Sequence, residues 1–151
     1  MYRNMTKNHL VTRHQALLGI TIILGLIVMF WGLGDMKLLS LNEGRRALAI
    51  KEMFLSSDWL LPRLNGELYL TKPPLLYWIS AGFSSVWGGV NEWTLRLPSA
   101  LAAVSILWMV YQYTRKNYGL WASLFVLQLL IANVSFAMSA RRVEIEMLLT
   151  A

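Results

Sequence analysis

The 151-residue sequence contains no cysteine, and only 15% of its residues are charged. Without cysteine the chain can form neither disulfides nor thiolate sites for zinc or iron–sulfur clusters. The absence of cysteine does not indicate whether the chain faces an oxidising or a reducing compartment. So few charges, together with a hydrophobic content of 56%, make the chain too apolar for an ordinary soluble domain. The composition therefore indicates a membrane protein.

Acidic residues are also scarce: eight stand against fourteen lysines and arginines, which gives a formal net charge of +6. Such an excess can indicate nucleic-acid binding. The sequence, however, shows neither a basic helix nor an aromatic platform on which bases would stack. We attribute the basic residues to the edges of membrane segments and expect no nucleic acid among the partners.

The first long uncharged stretch is ALLGITIILGLIVMFWGLG, residues 16–34. At about 1.5 Å per residue, a helix of this length approaches the roughly 30 Å hydrocarbon core of a bilayer. A cleaved signal peptide would share the basic start, but it would have a shorter apolar core and a small-x-small cleavage site, which the following DMKLLSLN lacks. We therefore predict a retained transmembrane helix.

Basic residues in the short flanks predict the orientation of the chain. Arg3, Lys7 and Arg13 precede the first apolar stretch, and Arg115 and Lys116 lie between the last two. Basic flanks favour the cytoplasmic side. If both flanks are cytoplasmic, the number of crossings between them is even, so one of the three apolar stretches that separate them does not span.

The stretch at residues 73–91 is the weakest candidate span. It begins with two prolines, and the glycine pair at residues 88–89 would end its helix, which leaves about fourteen residues of plausible helix, nearer to an interfacial segment than to a span. The predicted fold class is all-α, with polytopic membrane helices and juxtamembrane amphipathic helices in a long first outer loop. We expect one membrane portion over residues 1–151, with an outer loop at about 35–95 and three spans at about 16–34, 97–113 and 120–140.

The outer loop contains a signal for the start of a helix. Ser40 and Glu43 have the S-x-x-E spacing of a capping box. The apolar residues that follow recur on one face of the predicted amphipathic helix, facing lipid or protein: Ala47, Ile50, Met53 and Phe54. Arg45, Lys51 and Glu52 are expected to face water.

Glu43, Arg45 and Arg46 lie in the first turn of this helix, where unpaired N–H groups and the helix dipole favour an anion. Two interpretations stay open for each residue. Glu43 either caps the helix or acts as a general base at the membrane surface. The arginines either snorkel towards lipid headgroups or clamp a phosphate with their planar guanidinium groups.

Lys72 precedes two prolines, which stiffen the backbone and favour an extended conformation at Lys72 itself. Its ammonium group is expected at the headgroup level, either as an ordinary membrane anchor or beside a lipid phosphate. Tyr69, Tyr77 and Trp78, on either side of it, are predicted to be aromatic residues of the membrane interface.

A second charged cluster, SARRVEIEMLLT, follows the last predicted span. In a helix, Arg142 and Glu146 would lie four residues apart and could form an ordinary ion pair. Charges at a membrane boundary are nevertheless costly enough to suggest a function for this cluster, which also contains Arg141 and Glu144. Two clusters of acidic and basic residues on one membrane face indicate a site between them.

Three stretches resemble the N-terminal part of the membrane glycosyltransferases that use polyprenyl-phosphate sugars, the family of protein O-mannosyltransferases and lipid A aminoarabinose transferases. They are NEGRRALAIKEMFLSSDWLLPRLNGELYLTKPPLLYW, NEWTLRLPSALAAV and RRVEIEMLLT, and they occur in that order over about residues 40–150. The resemblance implies the GT-C fold, a bundle of membrane helices whose first outer loop carries juxtamembrane helices around the lipid phosphate.

The resemblance also implies a site in which a sugar leaves a polyprenyl phosphate for an acceptor hydroxyl. Glu43 and Glu146 are the implied catalytic carboxylates, and the implied substrate-binding residues are Arg45, Arg46, Lys72, Arg141 and Glu144. One carboxylate would take the acceptor proton while the cations stabilise the departing lipid phosphate. Nearby carboxylates would favour an oxocarbenium-like transition state.

Two positions depart from the family pattern. Asn42 stands where the family usually has aspartate, and an amide cannot act as a base. Thr71 stands where the aminoarabinose branch often has a glutamate that can help to bind a metal. This departure removes the support for a metal site of that kind, so we assign no metal ligand and no cofactor and leave a divalent cation as an open alternative.

The resemblance implies a multi-pass protein of the bacterial inner membrane with its site facing the periplasm. The implied partners are the bilayer, a polyprenyl-phosphate-linked sugar and an acceptor that is a lipid, a glycan or a protein. Members of the family are much longer, so the sequence is expected to be an N-terminal portion of such an enzyme. The alternative is a non-catalytic membrane remnant or accessory subunit that binds lipid phosphate.

Overall fold

A computed structural model describes residues 2–35, 37–38, 40–70 and 72–151, with side chains from residue 13 onwards. The side chains of Arg3 and Lys7, two of the flanking basic residues, lie outside the described part. Seven helices and one hairpin are found there: α1 (Tyr2–Phe30), α2 (Leu41–Ser56), β1 (Arg63–Leu64), β2 (Glu67–Leu68), α3 (Leu75–Val86), α4 (Glu92–Tyr118), α5 (Leu120–Ala132), α6 (Val134–Ala140) and α7 (Ile145–Thr150).

Among the described residues, two helices are long and apolar enough to cross a membrane: residues Arg13–Phe30 of α1, and α4. Many large apolar side chains of α1 are exposed, as a lipid-facing helix requires: Leu17, Ile20, Ile22, Ile23, Leu24, Leu26 and Ile27. A third crossing is present if α5 and α6 cross together as one bent pair. The chain is thus a predominantly helical membrane protein, as its composition predicts.

The third predicted span, at about residues 120–140, is not one straight helix. The axes of α5 and α6 differ by 70°, and Asn133 lies at the break. Its side-chain oxygen accepts a hydrogen bond from the amide of Phe136 at 2.9 Å and so caps α6. Asparagine side chains compete for backbone donors in this way, so a single polar residue ends one helix and starts the next. We call residues 131–138 the elbow.

The predicted outer loop contains α2, the hairpin and α3. With 12 residues, α3 is about 18 Å long at 1.5 Å per residue. That length is well short of the roughly 30 Å of a bilayer core, which agrees with the prediction that residues 73–91 do not span. The two-residue strands were not predicted, although the Asn65-Gly66 pair between them is a known hairpin signal.

The core of the outer region lies between α2 and α3. Ala47, Ile50 and Met53 of α2 are buried against Leu76 and Tyr77 of α3, so the predicted apolar face of α2 packs on protein. The prediction of an interfacial position for Tyr77 is wrong, because this ring is 0% exposed. Burial is the main cause that raises the pKa of Tyr77 to about 12.

A second core cluster joins the membrane helices to α7. Its buried members are Met29 of α1, Ala102, Ala103 and Ile106 of α4, Ala140 of α6 and Met147 of α7. The small residues of α4 let neighbouring backbones approach closely. As a result α4 contacts α1, α3, α5, α6 and α7 and is the central helix of the fold.

A buried ion pair fixes the end of α4 against the outer region. Arg96 Nε donates to Glu43 Oε1 at 2.9 Å, and the two residues are 2% and 3% exposed. The same guanidinium donates through Nη1 to the Leu33 carbonyl at 2.8 Å and through Nη2 to the Lys37 carbonyl at 3.2 Å. Arg96 therefore holds the first turn of α2 and the segment that follows α1 in fixed positions.

Breaking this pair should destabilise the protein strongly. Arg96→Met leaves the Glu43 carboxylate buried without its cation, and we expect a loss of roughly 3–5 kcal/mol in the free energy of unfolding. Denaturant titration of the purified protein in detergent, followed by circular dichroism, measures this loss.

The exposed ion pair between Arg63 and Asp58, with Nε and Oδ2 3.9 Å apart, provides the matched control. Arg63→Met should change the free energy of unfolding by no more than about 1 kcal/mol. The double variant Arg96→Met, Glu43→Leu should lose less than the sum of its single variants, because no unpaired charge stays buried. An Arg96→Met protein as stable as the Arg63→Met control would contradict this account.

Candidate functional site

The Glu43 carboxylate is held from two sides. In addition to the bond from Arg96, its Oε1 accepts a hydrogen bond from the amide of Val143 at 3.1 Å. The Ser40 hydroxyl accepts from the amide of Glu43 at 3.0 Å, which confirms Ser40 as the N-cap of α2. The second half of the predicted capping box is not formed within the described residues, because the carboxylate turns towards Arg96 and Val143 instead.

Lys72 and Glu146 meet, although they lie far apart in the sequence. Lys72 Nζ is 3.6 Å from Glu146 Oε1, and Arg46 Nη2 is 3.9 Å from the same oxygen. Arg46 also donates through Nη1 to the carbonyl of Val143, and the residue is only 8% exposed. We call Arg46, Lys72 and Glu146 the cation cluster.

Glu146 lies in α7, outside the candidate spans. A hydrogen bond from its own backbone lowers the pKa of Glu146 most; partial burial opposes this effect, and the charges of Arg46 and Lys72 lower the pKa further. Glu146 therefore stays negative to lower pH than an ordinary glutamate. It is the anion that the two cations share.

A polar cavity of about 340 Å³ opens beside the cation cluster. It lies between the start of α2 and the segment that leads from α6 to α7. Its walls combine carboxylates with guanidinium, amide and hydroxyl groups: Ser40, Asn42, Glu43, Arg46, Arg142, Val143, Glu144 and Glu146. Both predicted catalytic carboxylates therefore line one cavity, Glu43 as a buried side chain and Glu146 as an exposed one.

The ordinary ion pair between Arg142 and Glu146, which a continuous helix would allow, is not formed in the described structure. Residues 141–144 are not helical and α7 begins at Ile145, so the two side chains are not one helical turn apart. Glu146 pairs with residues of other elements, as described above. Arg142 Nη1 instead lies 4.0 Å from Glu144 Oε1.

The remaining predicted site residues occupy different positions around Glu43. The backbone of Glu144 is fixed to the Ser99 hydroxyl, which accepts from its amide at 3.3 Å and donates to its carbonyl at 3.1 Å. Arg141 Nη2 donates to the carbonyl of Trp31 at 2.7 Å. Arg45 is exposed and forms no hydrogen bond or ion pair with the described part of the chain.

Sequence reasoning missed Arg96, the buried partner of Glu43. The sequence does contain a signal, because Arg96 is a charged residue directly before the apolar stretch at residues 97–113. It also lies within NEWTLRLPSALAAV, one of the three stretches that carry the family resemblance.

The described residues contain no group of three histidine, aspartate or glutamate side chains that could hold a metal ion. Thr71, the position at which a metal-binding glutamate was considered, lies outside the described residues.

The chain is similar to membrane glycosyltransferases. The profile of the dolichyl-phosphate-mannose-protein mannosyltransferase family matches residues 71–151, more than half of the chain. An uncharacterised protein of Aquifex aeolicus is 38% identical over 112 residues, 74% of this chain and 22% of that protein. Undecaprenyl phosphate-alpha-4-amino-4-deoxy-L-arabinose arabinosyl transferase 2 of Pseudomonas fluorescens is 35% identical over 78 residues, 52% of this chain and 13% of that protein.

The fold is also similar to a solved structure, that of ArnT from Cupriavidus metallidurans bound to undecaprenyl phosphate. The TM-score is 0.79 at 28% sequence identity, over 86% of this chain and 24% of that chain. The chain thus spans about a quarter or less of the length of each of these proteins. On the match of the family profile, the chain belongs to the dolichyl-phosphate-mannose-protein mannosyltransferase family.

Proposed function

We propose that the chain forms the lipid-phosphate side of a site that transfers a sugar from a polyprenyl-phosphate donor to a lipid, glycan or protein acceptor. The observation that carries this proposal is the cation cluster, in which Arg46 and Lys72 converge on Glu146 at the rim of the polar cavity. The similar ArnT structure holds undecaprenyl phosphate, and the Pseudomonas relative bears the name of a transferase of an undecaprenyl phosphate sugar.

A lipid phosphate would take the place between the two cations that Glu146 now occupies. Arg46 is nearly buried and its guanidinium is already oriented by the Val143 carbonyl. Lys72 is exposed, and the two prolines after it limit the motion of its backbone. A fixed guanidinium suits the geometry of a phosphate, and the lysine adds a second positive charge.

In the proposed reaction, the acceptor hydroxyl oxygen bonds to the anomeric carbon while the bond from that carbon to the phosphate oxygen breaks. The hydroxyl proton passes to a carboxylate, and the electron pair of the broken bond leaves with the lipid phosphate. This leaving group is already anionic, so it needs cations rather than a proton donor. A nearby carboxylate stabilises the positive charge that develops on the sugar.

We assign Glu43 as the base. Both hydrogen bonds that its carboxylate accepts from the described residues fall on Oε1, which leaves Oε2 for a substrate in the polar cavity. The neighbouring Asn42 cannot take a proton. When the phosphate binds, Arg46 and Lys72 would pair with it instead of with Glu146. Glu146 would then serve as the second carboxylate of the site.

The other substrate-binding assignments follow from the positions of the residues around the cavity. Glu144 and Arg142 line the polar cavity, and we place Glu144 near the sugar. Arg45 faces outwards from the first turn of α2, where it would contact the donor only at the outer rim. Arg141 does not line the polar cavity and donates instead to the carbonyl of Trp31, just after α1.

We place the site on the periplasmic side of the bacterial inner membrane, with three spans. This placement uses the cytoplasmic preference of the basic residues before α1 and at Arg115 and Lys116. It also uses the shortness of α3, which leaves α1 and α4 to run in opposite directions. The bent pair of α5 and α6 then returns the chain to the same face as Glu43.

A second candidate is a lipid-phosphate-binding subunit without catalysis. Two observations favour it. Asn42 stands where an acid would be expected, and both carboxylates, Glu43 and Glu146, are already paired with cations. The two candidates differ in a transfer assay with a radiolabelled polyprenyl-phosphate sugar. The enzyme is supported if the wild type releases lipid phosphate and Glu43→Gln loses this release while it still binds the donor. The binding subunit is supported if the wild type binds the donor without releasing lipid phosphate.

Lys72→Gln should weaken the binding of undecaprenyl phosphate by about tenfold or more, because it removes one of two charged contacts to the phosphate. Thermophoresis of the purified protein in detergent measures the dissociation constant. Lys51→Gln, an exposed lysine on α2, is the matched control and should leave the constant unchanged. Equal affinities of the two variants for undecaprenyl phosphate would contradict the proposal that the cation cluster binds the phosphate of the donor.

The same substitution should raise the pKa of Glu146, because Lys72 is one of the charges that lower it. A carboxyl group with a lowered pKa in the folded state stabilises the fold above its unfolded pKa, and this contribution is lost as the pH falls through the folded pKa. In Lys72→Gln the loss should therefore begin at higher pH. NMR titration of ¹³C-labelled glutamate carboxyls follows the change, and an unchanged Glu146 titration would show that the ion pair is absent in solution.

A further inference from the structure

A cavity of about 310 Å³, which we call the membrane groove, lies between the membrane parts of α1, α4 and α5. It shares no residue with the polar cavity, and the proposed function makes no use of it. Ile22 and Trp108 line the groove and are nevertheless exposed, so the groove is open to the surrounding bilayer. At one end it reaches Ile131, the first residue of the elbow.

The wall of the membrane groove is almost entirely apolar, and it is formed mainly by aliphatic side chains such as Leu18, Leu26, Val104, Leu107 and Leu127. The two hydroxyl groups in the wall are already hydrogen-bonded. Thr21 Oγ1 donates to the carbonyl of Leu17 at 2.9 Å, and the Tyr111 hydroxyl accepts from Arg115 Nη1 at 2.8 Å. A hydrocarbon chain matches this wall, whereas a polar ligand would be buried there without hydrogen-bond partners.

The end of the groove opposite the elbow is basic. Arg115 lies one helical turn beyond Tyr111, and its guanidinium carbon is 5.6 Å from the centre of the Tyr111 ring. Arg13 of α1 is at the same end, because the adjacent His14 packs its ring against Trp121 at the start of α5, with the ring centroids 4.3 Å apart. Cations from two helices therefore flank the apolar wall at this end.

The chain provides no counter-charge for these cations. Its eight acidic residues all lie at residues 35–92 and 144–146, and residues 1–34 and 93–143 contain none. Arg13, Arg115 and Lys116, which we call the basic end, are exposed and form no ion pair with the described residues. In a bilayer, anionic headgroups are the charges within reach of such a cluster.

We propose that the membrane groove and the basic end together bind one anionic phospholipid, with an acyl chain in the groove and the phosphate beside Arg115 and Arg13. Guanidinium groups suit a phosphate, because they make charged hydrogen bonds to it. On the membrane placement proposed above, this lipid belongs to the cytoplasmic leaflet, on the side opposite the polar cavity. Its binding does not depend on sugar transfer.

Native mass spectrometry of the purified chain in detergent tests the headgroup contact, with dioleoyl phosphatidylglycerol and dioleoyl phosphatidylcholine as probes. The anionic phosphatidylglycerol should bind about tenfold more tightly than the zwitterionic lipid, as expected for charged contacts to the phosphate. Arg115→Gln should reduce this preference severalfold. The matched control is Arg63→Gln, an exposed arginine on the hairpin, which should leave the preference unchanged. A preference that Arg115→Gln leaves intact would overturn the proposal.

Ile22→Trp tests the contact with the acyl chain. Ile22 is 49% exposed and lines the groove, so a larger side chain can fill the groove without entering the core. We expect severalfold weaker binding of both phospholipids, with the preference between them unchanged. Ile23→Trp is the matched control, since Ile23 is 58% exposed on the same helix and does not line the groove. If the two variants bind the lipids equally well, the groove is not the binding site.

Other occupants of the groove give different results in the same measurement. Displacement of phosphatidylglycerol by equimolar inorganic phosphate would show a site for a free anion and would contradict the proposal. A dimer that Ile22→Trp dissociates, with lipid binding unchanged, would show that a second copy of the chain covers the groove, which would also contradict it.

Undecaprenyl phosphate distinguishes this site from the proposed donor site. Arg115→Gln should weaken the binding of phosphatidylglycerol and leave undecaprenyl phosphate unaffected, whereas Lys72→Gln should do the reverse. Equal loss of both lipids in either variant would show one shared site and would refute the proposal. Failure of undecaprenyl phosphate to bind, with phosphatidylglycerol still dependent on Arg115, would reject the donor assignment alone and support the phospholipid site.

Discussion

The buried pair of Arg96 and Glu43 is the interaction on which the site depends. Burying two charges is costly, and the cost is offset only when the pair is close and its remaining hydrogen-bonding groups are satisfied. Both conditions are met here: the guanidinium also binds the carbonyls of Leu33 and Lys37, and the carboxylate also accepts from the amide of Val143. The pair consequently joins α4, the end of α1, the start of α2 and the segment before α7 at one point.

The position of the cation cluster follows from that junction. Val143 connects the two groups of residues, since its amide binds Glu43 and its carbonyl binds Arg46. Arg46 in turn brings its guanidinium to Glu146, where Lys72 arrives from the other side. In our account the structural role and the chemical role of Glu43 use different oxygens, Oε1 for the fold and Oε2 for the substrate. Because the buried carboxylate is already oriented, it loses little conformational entropy when a substrate binds.

Local features of the fold could be predicted from the sequence, whereas features that depend on distant residues could not. The helix start at Ser40, the buried face of α2 and the short α3 follow from spacing, capping and length. Hydropathy does not predict the break at Asn133, because the segment around it is apolar enough to span and only one polar side chain marks the bend. The burial of Tyr77 depends on its packing against α2, and the pairing of Glu146 depends on residues far away in the sequence. Both are set by tertiary packing, which the local sequence does not show. Arg96 could have been suspected as a charge in an apolar helix, but nothing in the local sequence names Glu43 as its partner.

The central claim is that the polar cavity opens to the non-cytoplasmic face and receives a lipid phosphate. Asn42 is exposed and lines this cavity, and the sequence has no cysteine, so Asn42→Cys gives a single labelling site. A membrane-impermeant maleimide should label residue 42 in spheroplasts, and undecaprenyl phosphate should slow the labelling while the neutral alcohol undecaprenol does not. Labelling only in inverted vesicles, or labelling that the lipid phosphate leaves unchanged, would contradict the account.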